Sequence, residues 1–414
     1  MITRVSIICI SVVLSMSNLW AGTIEVCSSC EAQTIKQAIQ MASPCDSVLI
    51  HHGLYKEGKI VVDKPLYLLG LDFPILDGDD TTEIITVISD HVHLEGLQIQ
   101  NVGTSYLEDR AGLRIKRSKH FTIINNILKN TFFGIYLEHA DDGVVIQNEI
   151  IGDAKDEMSS GNAIHVWYCK RILVKNNMVK NHRDGIYFEF VDDSEILNNT
   201  STDNLRYGLH FMFSNDDNYY HNTFRNNGAG VAVMFSKKIN MWNNTFEKNW
   251  GTTSYGLLLK EIYDAKIFNN RFVKNTIGIY LEGSTRIKYT GNQFVNNGWA
   301  MKISGGCLDN EITGNDFISN TFDLSVRSAM NNNTFNNNYW SSYTGYDLDR
   351  DGLGDVPYRP VKLFNYVVNQ TPEAIILLRS FFVELVNFTE KVSPVFTPVN
   401  VMDHNPLMEE VNGA

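Results

Sequence analysis

Three side chains with soft donor atoms fall at strand spacing: His210, Met212 and Met234. In "RYGLHFMFSNDD" the alternation after Gly208 places Leu209 and Phe211 on one strand face and His210 and Met212 on the other. An outward strand face ordinarily carries Thr, Lys, Glu or Asn, so an imidazole and a thioether there need a reason. Met234, in "GVAVMFS", is expected beside Met212 on the next strand. Two thioethers and an imidazole suit Cu(I) far better than Ca²⁺ or Mg²⁺. The competing reading is an apolar platform, completed by Trp167 and outward tyrosines, beneath an insertion or a partner.

A second constellation is Asp347, Asp349, Asp351 and Asp355, with Gly352 after the third carboxylate. The D-x-D-x-D-G start resembles a Ca²⁺ loop, in which alternate residues converge their oxygens on a hard cation. Tyr358 stands where such a loop has its twelfth-position glutamate, and a merely solvated, turn-rich loop is the alternative. Five cysteines follow Cys9: Cys27, Cys30, Cys45, Cys169 and Cys307. A disulfide from Cys27 or Cys30 to Cys45 is the first expectation, with the "CSSC" pair as a metal or redox motif the second. The odd count leaves at least one thiol without an internal bridge. Glu138 and Glu189 raise polysaccharide lyase or epimerase chemistry, but they stand rungs apart with Trp167 between them.

These residues are carried by a repeat. A glycine, an alternating strand, a polar turn, a second short strand and an Asn-rich corner recur from Gly112, Gly134, Gly185, Gly208, Gly230, Gly256 and Gly278, with Ala163 starting another unit. A period near 22 residues is too short for two helices and suits a parallel β-helix. Ile135, Ile164, Ile186, Leu209, Val231, Leu257 and Ile279 should then point inward. Asparagine fits the corner because it tolerates left-handed backbone and its amide can bond the next rung, as at Asn126, Asn177, Asn199, Asn244, Asn270 and Asn292.

The first 21 residues read as an export signal: Arg4, the apolar run Val5 to Leu14, and Ala21 as the cleavage-side residue. Residues 22–44 form an N-terminal cap, whose Ile35, Ala38, Ile39 and Ala42 lie on one face of a helix. Residues 45–335 form the β-helix, and 336–414 an acidic loop followed by an amphipathic segment. In that segment, "PEAIILLRSFFVELVNFTEKV" is too short and too charged to span a bilayer. A net charge of −12 on 414 residues, with no evident basic patch, argues against nucleic-acid binding.

"GNAIHVW", "RDGIYFE", "RYGLHFMFS", "GVAVMFS", "GLLLKE" and above all "NNYWSSYTGYDLDRDGLGDVPYRPV" make the chain resemble the NosD family over nearly all its mature length. The resemblance implies a right-handed β-helix in the periplasm without enzymatic activity, associated with the inner membrane through its partners. Those partners are an ABC-type permease and ATPase, with nitrous oxide reductase as client and a copper chaperone as a further candidate. The implied task is assembly of the reductase's copper site, which adds weight to copper at His210, Met212 and Met234. Cys27, Cys30 and Cys45 depart from the family pattern and leave a second thiol metal site open.

Overall fold

A computed structural model describes residues 22–105, 107–327, 332–378, 380–392 and 401–411. The export signal at 1–21 lies outside the described residues. The chain winds as an all-β parallel solenoid. Three sheets of 14, 13 and 12 strands run along it, and successive strands of each rung enter the first, second and third sheet in turn. The first sheet opens with Thr23–Val26, paired in register with Ser47–Ile50. The second closes with Tyr339–Trp340.

The repeated glycines permit this stacking because they lead the third-sheet strands where rungs approach most closely. A Cβ on Gly134 would lie 2.4 Å from the Ala163 carbonyl oxygen, and one on Gly208 would lie 2.7 Å from that of Gly230. The residues after the glycines, Ile135, Ile164, Ile186, Leu209, Val231, Leu257 and Ile279, are all fully buried. From Phe224 onward a phenylalanine after the Asn corner fills the second-sheet side of the core, where earlier rungs have Leu128, Ile150, Val179 and Ser201. Phe246, Phe272, Phe294 and Phe317 stack at centroid separations of 4.5, 5.0 and 4.9 Å, and Trp340 closes the file at 4.1 Å.

At the corners the two duties expected of one asparagine are divided between neighbours. Asn125, Asn176, Asn198, Asn243 and Asn269 take the left-handed backbone, with φ of 53 to 55°. The following Asn126, Asn177, Asn199, Asn244 and Asn270 are buried and form an amide ladder along the solenoid. Asn199 donates its backbone N–H and its Nδ2 to Asn222 Oδ1 at 2.8 and 3.0 Å, and Asn222 does the same to Asn244 at 3.0 and 3.0 Å. The ladder ends at Asn338, whose N–H and Nδ2 both donate to Asp403 Oδ2 at 3.0 Å.

Both ends are covered. At the N-terminal end α1, Ile35–Met41, buries Ile35, Ala38 and Ile39 and is capped by Thr34. Glu57 accepts the Ile35 and Lys36 N–H groups at 2.7 and 3.0 Å, which also favours the positive helix start. The disulfide differs from expectation: Cys27 pairs with Cys30, while Cys45 is free and exposed. Since Thr23 pairs with Ser47 and Val26 with Ile50, Cys27 and Cys45 sit at opposite ends of the paired strands. At about 3.3 Å per residue that is beyond disulfide reach. Cys169 and Cys307 are buried and free.

At the other end the last rung is closed by 401–411. Tyr358 and Asp403 exchange backbone hydrogen bonds at 2.8 and 2.9 Å, Leu407 N–H donates to Asn338, and Val401 is buried. The amphipathic hydrophobic segment is divided into a 3₁₀ turn, Pro372–Leu377, and α3, Phe381–Val392, with α2, Leu363–Gln370, before them. Phe364, Val368 and Val383 pack on Trp299 and Phe322. Ile375, Ile376, Leu377, Phe381, Phe382, Leu385 and Phe388 remain exposed, and Arg379 lies outside the described residues.

Candidate metal centre on the third sheet

The third sheet carries His210 and Met212 on Tyr207–Met212 and Met234 on Ala229–Met234. Met212 and Met234 are partners in register, as are His210 and Ala232. The three donor side chains therefore start from Cα atoms about 5–8 Å apart on one rigid surface. Met212 and Met234 are half-buried, but the His210 side chain is only 7% exposed. His210 points away from the solenoid core, yet it does not point into water. Its ring stacks on Tyr187 at 4.6 Å between centroids and leans on Tyr207 at 4.8 Å.

Asp184, fully buried, organises this layer. Its carboxylate accepts from Arg206 Nε at 2.9 Å and Nη2 at 2.6 Å, and from the Tyr207 N–H at 3.3 Å. His210 Nδ1 faces Asp184 Oδ2 at 3.7 Å, longer than a hydrogen bond. Burial alone would push the Asp184 carboxyl up, but His210 and Arg206 hold it down to about 2. A carboxylate facing Nδ1 favours the imidazole proton on that nitrogen and frees the Nε2 lone pair, as carboxylates behind metal-bound histidines do. Both His210 ring nitrogens are buried without a hydrogen-bond partner among the described residues, so the Asp184 carboxylate acts on Nδ1 by its charge alone. Tyr187 Oη donates to Met212 Sδ at 3.6 Å, and burial pushes that phenol up, so it remains a donor. An imidazole without hydrogen-bond partners on the strand face that also carries two registered thioethers fits a soft monovalent ion.

His165, one rung further from Met234 than Tyr187, is less suited to ligation. Asn162 Nδ2 lies 3.2 Å from its Nδ1, which uses the acceptor nitrogen, and burial together with the Arg183 charge lowers its pKa to about 3. Tyr136, His165, Tyr187 and His210 form a continuous file of ring contacts, stacked at its two ends and edge-on between His165 and Tyr187, which is the feature expected of the apolar platform. Glu138 and Glu189 are separated in register by Trp167. Glu138 is engaged by Arg114 and Lys116, each at 3.2 Å.

Asp347, Asp349 and Asp351 do converge, with one carboxylate oxygen of each within 4.8 Å of the others. Asp347 already accepts the N–H groups of Arg350 at 2.6 Å, Asp351 at 3.3 Å and Gly352 at 3.0 Å. Asp355 is turned to the Leu348 N–H at 2.8 Å. The loop is thus closed by its own backbone, and Tyr358 belongs to the strand pairing with Asp403 rather than to the loop.

Residues 146–345 match the family described as NosD, periplasmic copper-binding protein. The chain is 30% identical over 370 residues to the "Probable ABC transporter binding protein NosD" of Pseudomonas aeruginosa, covering 85% of this chain and 86% of that one. This chain belongs to the NosD family. A Stutzerimonas stutzeri protein with the same description is 26% identical, with 85% of each chain covered. Solved structures of low identity agree on the fold. The catalytic unit of a Streptomyces thermodiastaticus α-1,3-glucanase has a TM-score of 0.57 at 15% identity, covering 74% of this chain and 66% of that one. The Streptococcus pneumoniae adhesin PfbA has a TM-score of 0.56 at 12% identity, covering 71% and 88%.

Two features of this NosD chain escaped the sequence reading. Asp184 immediately precedes Gly185, a place held by Phe133, Tyr207, Ala229 and Ile277 on other rungs. A lone carboxylate in that mostly apolar column, next to Asn162 on the rung before, was the available signal. The other is a file of aromatic rings at the corner just after the methionines: Tyr168, Phe190, Phe213 and Phe235 stack at 4.5, 5.1 and 5.1 Å. Each adopts positive φ, between 50 and 54°, which is uncommon for bulky residues. Tyr168 and Phe213 are exposed.

Proposed function

We propose that this chain is the periplasmic factor that works with an ABC-type permease and ATPase to build the copper site of nitrous oxide reductase, and that it handles Cu(I) at His210, Met212 and Met234. The observation that carries the reading is the buried His210 imidazole, both of whose nitrogens lack a hydrogen-bond partner among the described residues, on the strand face that also presents two registered methionines. When bound there, copper would be held by soft donors that exchange it readily, as suits cargo rather than a resident cofactor. The aromatic file beside the methionines offers an apolar surface on which a copper chaperone or the reductase could rest. The open face of α3 and of the turn before it serves as the docking surface for the permease, while α2 and Val383 hold that segment to the solenoid.

The test is a Cu(I) titration of the exported chain with the Cys27–Cys30 disulfide intact, beside His210→Ala and a Met212→Ala/Met234→Ala double variant. Loss of one bound equivalent in both variants, with the β circular-dichroism signal retained, supports the reading; unchanged stoichiometry and affinity refute it. In cells, deletion of the gene should leave nitrous oxide reductase exported but short of copper. Turnover of alginate or pectin by the purified protein would instead favour the lyase or epimerase class.

A further inference from the structure

The N-terminal end of the solenoid gathers a second set of soft donors. Cys27 follows the first strand, and a tight turn returns the chain so that Cys30 N–H donates to Cys27 C=O at 3.2 Å. His51 follows the partner strand, with its N–H on Val26 C=O at 3.1 Å and its Nε2 3.1 Å from Glu25 Oε2. Cys30 Sγ, a Glu25 carboxylate oxygen and a His51 ring nitrogen all lie within 4.8 Å of one another. Cys30 and Glu25 border a surface cleft of ≈ 420 Å³ that Ser29 and Met41 also line, and Met41 is itself exposed. Both cysteines are half-buried and the serines between them exposed, so an external thiol can reach the bond.

We propose that Cys27 and Cys30 form a redox-controlled Cu(I) site, closed as the disulfide and opened by an external dithiol. In the opening step a thiolate of the dithiol attacks one cysteine sulfur and the S–S bond breaks. The second thiol of the reagent then resolves the mixed disulfide. The reagent is oxidised by two electrons to its disulfide, and Cys27 and Cys30 gain those electrons with two protons. Cu(I) then displaces both thiol protons and is held by two thiolates and the free nitrogen of His51. Glu25 orients that imidazole, and the Met41 thioether stands at the rim. Two thiolates and an imidazole also suit Zn²⁺, but a dithiol able to open the bond keeps copper cuprous, and the neighbouring thioether adds nothing for zinc. This site does not depend on the His210 centre and lies at the opposite end of the solenoid from α3.

The experiment uses the full exported chain carrying Cys45→Ser, which removes the exposed third thiol. Cu(I) is titrated against a chromophoric Cu(I) chelator before and after reduction with a phosphine. The reduced protein should bind one more equivalent than the oxidised protein. That equivalent should be absent from the Cys27→Ser/Cys30→Ser variant, bound at least about tenfold more weakly by His51→Ala, and undiminished in His210→Ala. X-ray absorption should show sulfur-dominated coordination for it. Equal stoichiometry in the two redox states, retention of the extra equivalent by the double serine variant, or its displacement by equimolar Zn²⁺ would each overturn the proposal. Failure of His210→Ala to lose copper would refute the other centre and leave this one standing.

Discussion

Replacing Asn222 with alanine tests whether the amide ladder, rather than the aromatic core beside it, holds the corner of the solenoid. Asn222 is buried, and its side chain makes five hydrogen bonds: it accepts from Asn199 N and Nδ2, and donates to Ile196 C=O, Tyr220 C=O and Asn244 Oδ1. Not all five partners are stranded by the change. Asn199 Nδ2 keeps Val174 and Leu197, and Asn244 Oδ1 keeps the backbone N–H of residue 222. The Asn199 N–H loses its acceptor outright and the Ile196 carbonyl loses a donor. At about 1–3 kcal/mol for each buried group left unpaired, with a small cavity added, the expected cost is about 3–5 kcal/mol. Asn218→Ala is the control, since that half-buried side chain accepts a single bond from Asn240 and should cost less than about 1 kcal/mol. Because stacked rungs need not unfold in one step, the readout is native-state hydrogen exchange of rungs 196–244 alongside urea unfolding. If Asn222→Ala matched Asn218→Ala in both measurements, the ladder would be an ornament of the packing and the reasoning would be wrong.

Other outcomes follow from the same geometry. Asp184, held near 2 against an ordinary value of 3.8, supports the fold in its ionised form by about 2 kcal/mol above pH ~4. That support is lost as the pH falls through 2, so Asp184→Asn should remove this limb of the acid-unfolding curve. Asp323 has the opposite sign: burial raises it to about 6, so stability should decline as pH rises from about 4 to 6, and Asp323→Asn should flatten that slope. Phe381→Ser with Phe388→Ser, both on exposed positions, should leave thermal unfolding within about 1 kcal/mol of wild type yet abolish copurification with the transporter. Truncation after Pro360 cannot make this distinction, because it also removes the Asp403 contacts that close the last rung. Since Asp347 is already satisfied by backbone N–H groups, adding Ca²⁺ to chelated protein should not shift its melting temperature, and a rise lost in Asp349→Asn would place the ion there.

The solenoid was legible because its requirements repeat: Gly134, Gly208 and their counterparts, or Ala163 and Ala300 in their place, recur for the same close approach, and Leu209 or Val231 behind them for the same core. What occurs once was harder to read. His210 was placed on the correct strand face, but its burial depends on Arg206 and Tyr207 closing over it, and no period announces a lid. Asp184 is the one carboxylate in a mostly apolar column of the rungs from Gly112 to Gly278. The cysteine pairing failed for a different reason: the count of residues between Cys30 and Cys45 is small, but the strand register that sets them apart is fixed by the pairing of Thr23 with Ser47.

Thirteen interstrand steps separate the first and last strands of the 14-stranded sheet, which at about 4.8 Å each is a rod of roughly 60 Å. With the amide ladder running along much of it, the rod has little freedom to bend, so it acts as a ruler standing in the periplasm. If its α3 end rests on the permease, the His210 strand, five strand steps from the last strand of its own sheet, stands roughly 25 Å above the contact, and the CSSC turn roughly 35 Å higher still. Any partner held at the membrane must reach the first height to exchange an ion with the methionines, and only a diffusing protein of the open compartment meets the second.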